Sequence, residues 1–82
     1  MKVKLWKIEA MFVELGDVLV WAGNRLEVYK KTYQSGGLGD SVSFGLRNLE
    51  TDIYVQSAYF EHDELLEAEL TDEEARSRLA GR

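Results

Sequence analysis

The sequence predicts a mainly β protein: a small antiparallel sheet of five strands, closed into a barrel or strongly bent, followed by a short C-terminal helix. Three observations carry that prediction. Residues 13–29 hold two apolar strands with a turn before them and a turn between them. Clusters of glycine, asparagine and aspartate then punctuate the chain between Gln34 and Asp52, and the residues from Thr71 to Glu74 spell a helix start. Eighty-two residues make one domain with one core, residues 1–70 forming the β unit and residues 71–82 a short acidic-capped helix or tail. In a core that small, nearly every large apolar residue is expected inside.

Taken in order, Lys2 to Leu5 alternates charged and apolar residues as a half-exposed strand does, with Val3 and Leu5 facing inwards. The apolar parity slips after Trp6-Lys7, which implies a bulge there or burial on both faces further on. A strand is preferred to a short helix over residues 6–15, because Gly16 follows directly and Phe12-Val13 ends a helix poorly. Leu15-Gly16-Asp17 is the entry turn of the central hairpin. Val18, Val20 and Trp21 form its first arm, Gly23-Asn24 its tip, and Leu26 and Val28, alternating with Arg25, Glu27 and Lys30, its second. Trp21 is expected to be structural, so that truncation to alanine costs about 3–5 kcal/mol.

From Gln34 to Ser41 the chain reads as a glycine-rich loop. A phosphate-cradling role is refused, because Asp40 brings negative charge and no Gly-Lys-Ser/Thr followed by a helix is present. Val42, Phe44 and Leu46 share one face of the next strand, Asn48 to Asp52 turns the chain, and Ile53 to Ser57 alternates again. Residues 58–70 are ambiguous between an amphipathic helix and a turn followed by a strand. Thr71 and Glu74 then form a capping box, with Leu70 and Ala75 as its staple, Asp72 and Glu73 on the positive end of the helix dipole, Arg76 and Arg78 in the last turn and Gly81 as the stop. Ala75 and Leu79 are the helix's apolar anchors, so it must lean on the sheet or on a partner.

The run from Leu15 to Trp21, with Gly23 and Leu26-Glu27-Val28 behind it, resembles the opening hairpin of SH3-like small barrels of the KOW and Tudor kind. The likeness covers roughly residues 13–57 and is one of superfold. It implies a scaffold that binds nucleic acids, peptides or proteins through its loops and an exposed sheet face, and it carries over no functional residue.

Composition narrows the function. The absence of cysteine removes disulfides, thiolate metal sites and cysteine nucleophiles, and fits a reducing compartment. The single histidine, His62, reads as a surface residue, and the carboxylates around it miss the spacing of a calcium loop, so neither enzyme nor cofactor nor metal is expected. Lys7 and Glu9 interrupt any signal-peptide core and no run is long enough to span a bilayer, which predicts a cytoplasmic protein without membrane association. Residues 1–47 hold seven Lys/Arg and five Asp/Glu, whereas residues 48–82 hold three and ten, giving local net charges of +2 and −7.

With so many aromatic residues for one small core, some must lie at the surface, where tyrosine and tryptophan beside charge favour contacts. The favoured function is therefore a non-enzymatic protein-binding module or small regulator, of the kind small phage or mobile-element proteins supply. Its contacts are assigned to Glu67, Glu69, Glu73 and Glu74 together with Tyr29, Tyr33 and Tyr59. A protein partner is expected and a homo-oligomer is admitted. The alternatives are nucleic-acid association through Lys2, Lys4, Lys7, Arg25, Lys30 and Lys31, which a net charge of −5 disfavours, and an acidic decoy that occupies a basic groove on a partner.

Overall fold

The computed structural model describes residues 2–36 and 39–80. Strands β1 (Lys4–Glu9), β2 (Val18–Trp21), β3 (Asn24–Gln34), β4 (Ser41–Asn48), β5 (Tyr54–Glu61) and β6 (Leu65–Leu70) form one antiparallel sheet in the order β1-β6-β2-β3-β4-β5, and helix α1 (Asp72–Ala80) follows. The fold is mainly β, as expected. All five expected strands are present, and the ambiguous stretch after residue 57 prolongs β5 and then supplies a sixth strand. The sheet is strongly bent and stays open, with β1 and β5 at its edges.

The inward face of β1 is the reverse of the expected one. Pairing sets Lys4 opposite Leu70, Trp6 opposite Ala68 and Ile8 opposite Leu66, so the even residues share the buried face of β6 while Val3 and Leu5 are each 53% exposed. A one-residue change of parity moves every side chain to the other face, and the register with β6 decides it. The strand expected over residues 6–15 stops at Glu9: a 3₁₀ turn over Ala10–Phe12 ends it, because Ala10 and Met11 donate their amides to the carbonyls of Glu64 and His62 in place of a ladder.

The central hairpin forms one residue earlier than expected. Trp21 pairs with Asn24, so the tip is Ala22-Gly23, with φ of 50° and 80°. Positive φ at both positions is what a two-residue turn matching the sheet twist requires. The entry turn is as read: Gly16 has φ of 90°, and the Asp17 carboxylate accepts the Glu14 amide at 2.8 Å.

The two irregularities of the ladder meet at Gly45. On one side of it β3 carries an extra residue, Tyr29, between Val28 (opposite Leu46) and Lys30 (opposite Gly45). On the other side Gln56 and Ser57 of β5 intervene between the partners of Leu46 and Phe44. Two bulges thus flank a single glycine, and bulges sharpen the local twist. The Tyr29 ring lies over Gly45 so closely that a Cβ there would fall 2.7 Å from Tyr29 Cζ, and Tyr54 meets Tyr29 edge-on at 5.3 Å.

The concave face holds the core, in which Phe44, Ile8, Leu70, Val13, Val28 and Val42 are the largest fully buried side chains. Helix α1 docks as its sequence predicts. Glu74 donates its amide to Thr71 Oγ1 at 3.1 Å, Thr71 donates its own to Glu74 Oε1 at 2.9 Å, and Leu70 and Ala75 are buried together. Arg78 reaches back to a nearly buried Asp17, its two terminal nitrogens on the two carboxylate oxygens, and its Nε lies 3.1 Å from Glu14 Oε2. Gly81, read as the helix stop, and Gly37-Leu38, the middle of the glycine-rich loop, lie outside the described residues.

Candidate functional site: an apolar cleft beside an open edge

Because the sheet curls without closing, its concave face leaves a cleft of about 370 Å³, within the range of pockets that hold ligands, ~300–1,000 Å³. One wall is β5, through Val55, Ala58, Tyr59 and Phe60; the other is the β2–β3 hairpin, through Trp21 and Leu26. Leu19, Leu46 and Leu66 form the floor. The floor is buried, whereas Trp21, Val55 and Tyr59 stand 51%, 42% and 66% exposed around the mouth. Glu64 and Glu67 are the charged residues of the lining, and no basic residue joins them. A smaller depression between Lys7, Trp21, Leu65 and Glu67 continues the surface past Trp21.

The expectation that Trp21 belongs to the packed core is overturned. The residue closes the hairpin at its tip, at the margin of the core, where its half-exposed ring meets Phe60 edge-on at 5.5 Å, with Phe60 in turn against Phe44 at 5.8 Å. The expectation that nearly every large apolar residue lies inside fails for the same reason: an open sheet has two edges and an outer face to leave uncovered. Leu15, Ile53 and Leu65 are exposed along with the residues already named.

The seven residues assigned to partner contact are dispersed. Tyr59 and Glu67 meet at the cleft. Glu69 sits on the outer face in a bidentate pair with Arg25, at 2.9 and 2.8 Å, and the guanidinium's hydrogen bond holds its carboxyl below the ordinary carboxylate range. Glu74 is occupied by the helix cap, and the Thr71 amide and hydroxyl lower its pKa too, whereas Glu73 is exposed on α1. Tyr29 covers Gly45. Tyr33 donates its hydroxyl to Asp40 at 2.7 Å, a bond that holds the phenol above its usual pKa.

Of the basic residues considered for nucleic acid, Arg25 is tied to Glu69, and Lys31 donates to the Met11 carbonyl at 2.8 Å, where burial lowers its pKa. His62 is half-buried, its ring nitrogen 3.1 Å from the Asp40 carbonyl. Among the described residues no three His, Cys, Asp or Glu side chains converge as a metal site would require, and no helix is long and apolar enough to cross a membrane.

Trp21, Val55, Ala58 and Glu64 were not assigned to the site from sequence. One signal pointed to Val55 and Ala58: the stretch from Ile53 to Phe60 carries no charge in a chain whose residues are 30% charged. No known protein family matches this chain, and no curated protein is similar to it.

Proposed function

We propose that the chain is a protein-binding module whose contact is the cleft between β5 and the β2–β3 hairpin, filled by apolar side chains of a partner. The observation that carries this reading is the pairing of a buried aliphatic floor with an exposed rim of Trp21, Val55 and Tyr59. Aromatic residues around an apolar hollow, ringed by polar groups, are the composition of interaction hot spots. The strand order supports a kinship with SH3-like barrels, since β2 to β5 run as a meander and β6 returns to pair with β2. The acidic-decoy alternative draws less support from the placement of the carboxylates, because Glu69 and Glu74 are engaged within the fold and lie on different elements.

The test is selection of a random displayed peptide library on the immobilised protein. Enriched peptides are expected to be apolar at two or more positions and to bind at least tenfold more weakly to Trp21→Ala and Val55→Lys proteins that melt within a few degrees of wild type. Peptides that bind all three proteins equally, or no enrichment at all, would count against the cleft.

A further inference from the structure

Resting on that reading, we infer that the occupant is an extended segment which joins the sheet as an added strand on β5, apolar residues turned into the cleft and a lysine or arginine set against Glu64 and Glu67. Three independent features of the fold lead there.

The first is the edge itself. Among the described residues β5 pairs with β4 alone, so one row of its backbone groups has no strand of them beside it. The other edge, β1, carries Lys4, Lys7 and Glu9, and α1 packs against it. From Tyr54 to Phe60, by contrast, β5 has neither a charged residue nor a proline, two of the features that keep an edge from pairing. The second is geometry. β5 is a wall of the cleft, so a strand laid along it turns alternate side chains into the hollow and the others to solvent. The Gln56-Ser57 bulge interrupts that pairing and confines the most regular stretch to Ala58–Glu61, beside Trp21 and Phe60.

The third is charge, which chooses between occupants. The residues lining the cleft include two carboxylates, Glu64 and Glu67, and no basic residue, Lys7 standing opposite Glu67 in the adjoining depression, in a chain of net charge −5. A second copy pairing through its own β5 brings no cation to them, since none occurs from Ile53 to Glu61. A basic and apolar partner segment supplies both halves of the complement.

The probe is a seven-residue synthetic peptide alternating leucine with lysine, titrated against the full chain and followed by Trp fluorescence and by amide exchange of β5. Expected are slowed exchange at Ala58–Glu61 and a tenfold or greater loss of affinity when the backbone nitrogens along one edge of the peptide are methylated. A severalfold loss with a shallower salt dependence is expected for Glu64→Gln/Glu67→Gln, and none for Glu73→Gln on the distant helix.

If the methylated or a scrambled peptide binds as well as the original and binding still falls in Trp21→Ala, the cleft stands and strand addition is overturned. If binding is indifferent to Trp21→Ala, the proposal fails with the reading beneath it; if binding falls in Trp21→Ala but is equal in the Glu64→Gln/Glu67→Gln and Glu73→Gln proteins, the cleft stands and the basic occupant is overturned. Sedimentation showing a dimer that Val55→Lys dissociates would make a second copy the occupant and overturn the basic partner.

Discussion

Replacing Arg78 with alanine removes the strut between α1 and the entry turn of the hairpin. Arg78 is 12% exposed and Asp17 5%, so the pair is largely out of water, and the carboxylate keeps only the Glu14 amide once the guanidinium is gone. Breaking one partner of a buried pair costs roughly 3–5 kcal/mol, because the survivor is left charged and poorly solvated. A domain of this size has a total stability of about 4–12 kcal/mol, and each kcal/mol shifts its melting temperature by roughly 4–8 °C. Even the low end therefore implies a fall of roughly 12 °C or more.

Arg76, two residues away, is exposed and bonds only to the Asp72 carbonyl of its own helix at 3.3 Å, so Arg76→Ala should stay within about 0.5 kcal/mol of wild type. Asp17→Asn/Arg78→Ala should cost little more than the worse single change, as expected of residues in one network. The assay is thermal unfolding by circular dichroism, with urea titration for the free energies. Equal melting temperatures for Arg76→Ala and Arg78→Ala would refute the stabilising role given to this ion pair.

Other perturbations test the remaining elements. Ala22→Asn gives the turn the Asn-Gly pair it prefers and relieves a left-handed alanine, so the urea midpoint should rise by the equivalent of about 1 kcal/mol; an unchanged midpoint would mean the turn is not of this type. Gly45→Ala forces a Cβ into the Tyr29 ring and should destabilise by about 1–3 kcal/mol, a loss much reduced in a Tyr29→Ala background; equal losses in both would remove the ring from the account. Both Glu69 and Glu74 are held below the ordinary carboxylate pKa of 4.5, so the stability they contribute is complete above that value and is lost as pH falls through their lowered folded values. Urea midpoints should therefore be level near neutrality and fall below about pH 4.5, less steeply in Glu69→Gln, and an identical acid limb in that variant would refute the assignment.

What the sequence disclosed was its local chemistry. The helix cap needs only Thr71, Glu74 and their neighbours, and it is found as read. The inward faces of β3 and β4 follow from simple alternation, and they too are found: Val28, Val42, Phe44 and Leu46 are buried. What it concealed depends on distant partners. Val3 and Leu5 make as good an inward pair as Trp6 and Ile8 until β6 fixes the register. The hairpin tip moved by one residue because the chain accepts a left-handed alanine. The cleft was not visible because five strands contribute to it, although the uncharged length of β5 marked one wall. Counting carboxylates along the chain suggested an acidic face, but Glu67, Glu69, Glu73 and Glu74 fall on a strand and a helix with separate tasks.

The place of β6 also governs when the domain can come into being. As the chain is synthesised, β2 to β5 can pair in succession, each with the strand just made, whereas β1 must wait with Trp6 and Ile8 uncovered until the far end of the sequence arrives to lie between it and β2. Closing so long a loop is entropically slow, and sheets built on such distant pairings fold in about milliseconds to seconds. Leu66, part of the floor of the cleft, arrives with that same strand. A nascent chain therefore presents sticky apolar strands but no finished hollow, and the cleft is complete only after translation has passed Leu70.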